Sequence, residues 1–149
     1  MFERGTDGPK VIVVGVDGSD TSWRAAAYAV GLDRRQGALL VVVHVRPVSA
    51  MAVVTGLPTS TAEAATTTAD GICGRITAGL AVMTEVQTLR WEFRSVTGGD
   101  VVAALSRLAD ELKADAVVVG ASRGLGHRVL GSAAIRLVRA RRWPVTVVP

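Results

Sequence analysis

Two short segments concentrate the groups able to do chemistry. One is Asp17-Gly18-Ser19-Asp20, directly after a β-branched run; the other runs from Gly120 to Ser132 and reads GASRGLGHRVLGS. Glycines let a backbone approach a ligand closely and adopt conformations barred to other residues. Gly131 and Ser132 stand where a helix opens, and the free N–H groups and dipole of a helix start attract anions. Ser132 adds a hydroxyl, and Arg123, His127 and Arg128 add charge, a combination suited to a polyphosphate. A glycine-rich loop closed by an ordinary serine cap has the same composition, so both readings stand at this point. Asp17 is equally two-sided. Its carboxylate can accept from a ribose hydroxyl, or it can bond the backbone amides of its own turn.

Other chemistries lack their residues. There is no GxxxxGK[ST] loop, no GxGxxG after the first strand-like run, and no GxSxG nucleophile elbow. His44 lies in an apolar run without a second histidine at metal-ligand spacing, and reads as a satisfied core residue. Cys73 is the single cysteine, which rules out an internal disulfide and a cysteine-based metal cage; its expected role is a small buried hydrophobe. From Val101 onward eight Lys or Arg face three acids, leaving +5 on that third of the chain. Such a surface can draw phosphates, of nucleotide or nucleic acid. Arginines late in a helix also serve its last carbonyls, the simpler reading of Arg139, Arg141 and Arg142. Few aromatic residues are available to stack bases.

These segments need elements to hold them, and the chain alternates strand-like with helix-like stretches. Strands are expected at Lys10–Val16, Ala38–Arg46, Val86–Val96, Ala116–Gly120 and Val145–Val148. Between them helices are expected from Thr21 to about Arg35, Thr61 to about Met83, Val101 to Lys113 and Ser132 to Arg141. Ser19 and Asp100 are the expected caps and Gly37 the expected stop. Val101, Leu105, Leu108 and Leu112 form the apolar side of the third helix. Ser49–Ser60 reads as a loop, and residues 1–9 as a flexible tail before one domain at 10–149. This β-α alternation implies an α/β fold, a doubly wound parallel sheet covered on both faces. Ligands of such sheets bind beyond the strands' carboxyl ends, where the strand order reverses. If Asp17 and the Gly120 loop build one site, strands one and four are neighbours, as in the order 3-2-1-4-5. With 149 residues, 49% of them apolar, the chain makes one domain with a substantial core. No apolar run is long enough to span a bilayer and Met1–Gly8 has no secretory core, so a cytoplasmic protein is expected.

Taken in order, several short pieces resemble the universal stress protein family. They are the Val16-Asp17-Gly18-Ser19 turn, His44-Val45, Val118-Val119-Gly120 leading to Leu130-Gly131-Ser132, and the ending Pro144 to Val148. The similarity covers about Lys10 to Pro149. It implies a Rossmann-like three-layer sandwich of the adenine nucleotide alpha hydrolase type, with five parallel strands in the order 3-2-1-4-5. It further implies a homodimer, with Val145–Val148 as the pairing edge. Nucleotide-binding members hold ATP with Mg or Mn through a G-x2-G-x9-G-[ST] pattern. Carried over by position, Asp17 would meet the ribose, while Val16 and Val45 would flank the adenine. Gly120, Gly131 and Ser132, with the amides of Ala133 and Ala134, would hold ribose and phosphates.

The loop departs from that pattern. Three residues separate Gly120 from Gly124 and six separate Gly124 from Gly131, so the loop is two residues shorter, and Arg123 stands where the second glycine belongs. Either Gly124 and Gly126 reshape the pocket, with Arg123 or Arg128 contacting phosphate, or shortening closes it. The first outcome gives an adenine-nucleotide-binding stress-response module, hydrolysing weakly or not at all for want of a general base near the phosphates. The second gives a dimer acting through protein contacts alone. An enzyme using Asp17 as base, and DNA binding through the arginines, are weaker alternatives.

Overall fold

Strands that are apolar on both sides need cover on both faces, and the sheet has it. The computed structural model describes residues 8–47, 70–79, 81–82, 89–121 and 131–149. In chain order the elements are β1 (Val11–Gly15), α1 (Asp20–Gln36), β2 (Leu39–Pro47), α2 (helical at 70–79), β3 (Arg90–Gly98), α3 (Val101–Glu111), β4 (Ala116–Gly120), α4 (Ser132–Ala140) and β5 (Val145–Val148). All five strands are parallel and lie in the order β3-β2-β1-β4-β5. This is the doubly wound α/β sheet that the alternation predicts.

Period-two alternation sends the side chains of each central strand to opposite layers. Val13, Val41, Val43, Val45, Val117 and Val119 face Val102, Leu105, Leu108 and Leu137 of α3 and α4. Ile12, Val14, Leu40, Val42 and Val118 face Ala25, Ala29 and Val30 of α1 and Ile72 and Ile76 of α2. Helices thus cover both faces, giving three layers.

Local chemistry sets the helix ends. Ser19 accepts from the Ser22 amide and caps α1, and Gly37 closes it at φ 62°, its N–H donating to the Asp33 carbonyl. Asp100 caps α3 through the amides of Val102 and Ala103. That helix stops at Glu111, two residues before Lys113, which takes φ 52°. Its buried residues include Val102, Leu105, Leu108 and Ala109, whereas Val101 is 45% exposed, so the apolar stripe begins one residue later than its sequence suggests. β3 occupies Arg90–Gly98; of the expected Val86–Val96, residues 86–88 lie outside the described residues, Leu89 precedes the strand, and its end extends past Val96 to Gly98. Cys73 is half-buried, less enclosed than a small core hydrophobe would be. The expected loop at Ser49–Ser60, helix start at 61–69 and most of the N-terminal tail lie outside the described residues.

Candidate functional site

Strand order places the switch point between β1 and β4: the chain winds outward from β1 through β2 to β3, then crosses back to lay β4 on the other side of β1. A cleft of about 420 Å³ opens there, beyond the strands' carboxyl ends. Its floor and apolar wall come from Gly15, Val16, Val43, Val45, Leu105, Val119 and Gly120. Val101 and Ala133, at the starts of α3 and α4, line one side; Asp17, Ser19, Asp20, Thr21 and Ser22 line the other. An apolar slot with polar groups at one rim suits a planar, partly apolar ligand bearing a polar end.

The polar rim is built by the turn into α1. One Asp17 oxygen accepts from the Ser19 amide at 2.9 Å, and the Asp17 amide donates to Ser22 Oγ at 3.4 Å. Ser22 Oγ in turn donates to the Ser19 carbonyl at 2.8 Å. Partial burial raises the Asp17 pKa, but the bonds from Ser19 and Ser22 outweigh it and hold the carboxyl below its ordinary value. Asp17 is therefore an exposed, ionised acceptor at the cleft rim, and also the anchor of its own turn. The backbone-amide reading of its sequence is the one seen here, and the outer face of the carboxylate is left exposed at the rim.

Val16 is buried, and its backbone is spoken for. Its amide donates to the Val43 carbonyl at 2.8 Å, and its carbonyl accepts the Nδ1–H of His44 at 2.9 Å. His44 is thus the satisfied core histidine that its apolar surroundings suggest. Val45 completes the apolar wall from β2.

Gly120 has a second reason to be glycine. A Cβ there would lie 2.5 Å from the Thr21 carbonyl carbon and 2.7 Å from the Ser22 nitrogen. The missing side chain lets β4 touch the backbone of α1, bringing that helix start against the cleft. The sequence marks Gly120 as a ligand approach; its closest approach is to the chain itself.

At α4 the cap is Gly131, with no side-chain cap bond, and Ser132 is the first helical residue. The ordinary serine cap is therefore absent, and among the described residues no capping side chain bonds the amides of the first turn. Ser132 is exposed, Ala133 half-buried at the cleft and Ala134 buried against the core. Asp17, Val16, Val45, Gly120 and Ala133 are thus brought to one cleft. Arg123, Gly124, Gly126, His127 and Arg128 lie outside the described residues.

The late arginines are partly committed elsewhere. Arg136 forks onto Asp100, and Arg142 pairs with Asp110 while its guanidinium sits 4.9 Å from the Trp143 ring centre. Arg142 therefore serves α3 rather than the last carbonyls of α4. Among the described residues no three His, Cys, Asp or Glu side chains are grouped to hold a metal. Nor is any described helix long and apolar enough to cross a membrane.

Comparison with known proteins follows the same lines. The model of the universal stress protein family matches residues 9–149. The chain is similar to the universal stress protein UspA from Lactobacillus plantarum, at TM-score 0.77 and 22% identity, covering 99% of this chain and 100% of that one. It is similar to a protein of the universal stress protein family from Burkholderia pseudomallei, at TM-score 0.63 and 26% identity over 94% and 96% of the two chains. A universal stress protein solved in complex with cAMP is 30% identical, at TM-score 0.63 over 95% and 98%. No curated protein matches the chain.

Proposed function

The chain belongs to the universal stress protein family, and from that premise we propose that its cleft binds an adenine nucleotide and that the protein is a binding module rather than an enzyme. One observation carries the reading. The ionised carboxylate after β1 and the start of α4, which has no side-chain cap, line a single cleft with an apolar slot between them. Adenine fits the slot beside Val16 and Val45, a ribose hydroxyl fits Asp17, and phosphate fits the amides of Ser132, Ala133 and Ala134. The relative in complex with cAMP supports the ligand class. Mg or Mn would arrive with the phosphates of ATP, since the described residues offer no cage of their own.

Gly124, Gly126, Arg123 and Arg128 are further candidates for phosphate contact. Residues 10–149 act as the binding domain, in the cytoplasm and as a homodimer paired through β5. The module reports nucleotide state to partners in stress adaptation.

A substitution that separates binding from folding tests this. Ala133→Asp puts a carboxylate in the first turn of α4, where it favours the helix by about 0.3–1 kcal/mol and repels phosphate. The wild-type chain should gain about 2.7 kcal/mol of stability at nucleotide concentrations ~100 times Kd. The variant should equal or exceed wild type without ligand and lose most of that gain. No thermal shift of wild type at millimolar ATP, AMP or cAMP sinks the reading and leaves the dimer acting through protein contacts.

A further inference from the structure

Two helix starts meet the cleft from the α3/α4 side, through Val101 and Ala133. A single carboxylate ties them together. Asp100, one residue before Val101, accepts from the amides of Val102 at 2.9 Å and Ala103 at 3.4 Å, which fixes the first turn of α3. The same carboxylate receives both terminal nitrogens of Arg136, at 3.0 and 2.5 Å. Arg136 lies three residues after Ala133, on the first turn and a half of α4. The Arg136 guanidinium, ahead of all other causes, holds the Asp100 carboxyl below its ordinary value, so the pair stays ionised at neutral pH.

We propose that Asp100 and Arg136 form a positioning clamp that sets the separation of Val101 and Ala133, and so the width of the ligand cleft. The inference rests on the nucleotide-binding reading of that cleft and names residues outside its lining: neither Asp100 nor Arg136 borders the cavity. The physical case is geometric. Exposed ion pairs contribute little to global stability, but a two-pronged guanidinium–carboxylate contact fixes both distance and orientation. Deeper down, α3 and α4 are held by Leu105, Leu108, Ala134 and Leu137 in the shared core. At the cleft end Val101 is exposed and Ala133 half-buried, so core packing holds the helices less firmly there. The fork supplies what packing does not.

The test uses Arg136→Met, which keeps the apolar stem, and Asp100→Asn, which keeps an acceptor suited to capping α3. Binding of adenosine and of AMP is measured by calorimetry for wild type, both variants and the double variant. A clamp predicts that each single variant weakens both ligands by a similar factor, about fivefold, and that the double variant is no worse than either. Simple charge near a phosphate predicts otherwise: losing the cation weakens AMP, losing the anion strengthens it, and adenosine is indifferent. That pattern, or unchanged binding, overturns the proposal.

Amide exchange gives a readout without ligand. The Ile135 amide closes the first turn of α4 onto the Gly131 carbonyl at 3.1 Å. Its exchange should quicken in Asp100→Asn, although the substitution is on another helix. If wild type binds neither adenosine nor AMP, the nucleotide reading falls alone, and unchanged Ile135 exchange in Asp100→Asn then overturns the clamp as well.

Discussion

Asp33 lies in the last turn of α1 with 2% of its surface exposed, and its Oδ1 has no hydrogen-bond partner among the described residues. Burial pushes its carboxyl up to about 6 and outweighs the Arg90 charge, which pulls the other way. The folded-state value exceeds the unfolded one, so the native chain binds the extra proton between about pH 4 and pH 6. Stability therefore falls as pH rises through that window and stays lower above it. Asp33→Asn removes the buried charge at nearly constant shape. The variant should be more stable than wild type at about pH 7.5, by on the order of 2 kcal/mol, and the gap should narrow to about a third of that near pH 4.5, closing only below the unfolded value. Urea unfolding at the two pH values checks this, and equal stabilities at the higher pH refute it. The sequence carried a usable signal for this residue. Ala25, Ala29 and Asp33 fall on one helical stripe, an acid continuing a buried line, although the neighbouring Arg34 and Arg35 make the segment look solvated. Ser19, Gly37 and Asp100 were legible because capping is local: the residue type and its place beside an apolar run carry the chemistry.

The contact between β4 and the start of α1 is where element-level packing and the cleft meet. Gly120 ends β4 half-buried, and α1 runs its first turn across it, with Thr21 and Ser22 at 5% and 4% exposure. Any Cβ at position 120 must push this backbone away, because the nearest atoms are main chain and cannot swing aside. Gly120→Ala should cost about 1–3 kcal/mol of stability, the range for overpacking a tight site, whether or not nucleotide is present. A melting temperature unchanged in the unliganded variant would show that α1 yields at no cost. The elements themselves were readable from period and composition: β1, β2, β4 and β5 are short runs rich in valine and other apolar residues, as a parallel sheet covered on both faces demands. β3 is harder to read and ends two residues beyond the expected Val96. It is the other edge strand, its residues Arg90, Glu92 and Arg94 are polar, and the apolar residues before it resemble a strand as well as it does. Val101 fits the helical period of Leu105, Leu108 and Leu112 yet lines the cleft, because periodicity alone does not tell a core stripe from a cleft wall that continues it.

At the scale of the whole molecule, the sheet has two free edges among the described residues, and they differ in chemistry. β3 carries Arg90, Glu92 and Arg94, with Glu92 and Arg94 paired at 3.1 Å, the kind of charge that discourages pairing with another chain. β5 reads Val-Thr-Val-Val, has no charge, and pairs with β4 alone. Its carbonyls at Pro144 and Val148 accept from Val117 and Ala121 on the β4 side. By the alternation of a strand, the N–H and C=O of Val145 and Val147 then point to the open edge. A second copy of the chain can add there, strand to strand, which is the physical content of the proposed dimer. Val147→Pro removes the outward N–H while leaving the β4 ladder its donors, and proline is tolerated on an edge. Light scattering at micromolar concentration should find wild type dimeric and this variant monomeric, with the cleft, which lies at the opposite side of β4, still binding nucleotide. A monomeric wild type refutes the β5 dimer outright. A dimeric Val147→Pro chain places the interface elsewhere, on a surface that does not use the open hydrogen-bonding groups of β5.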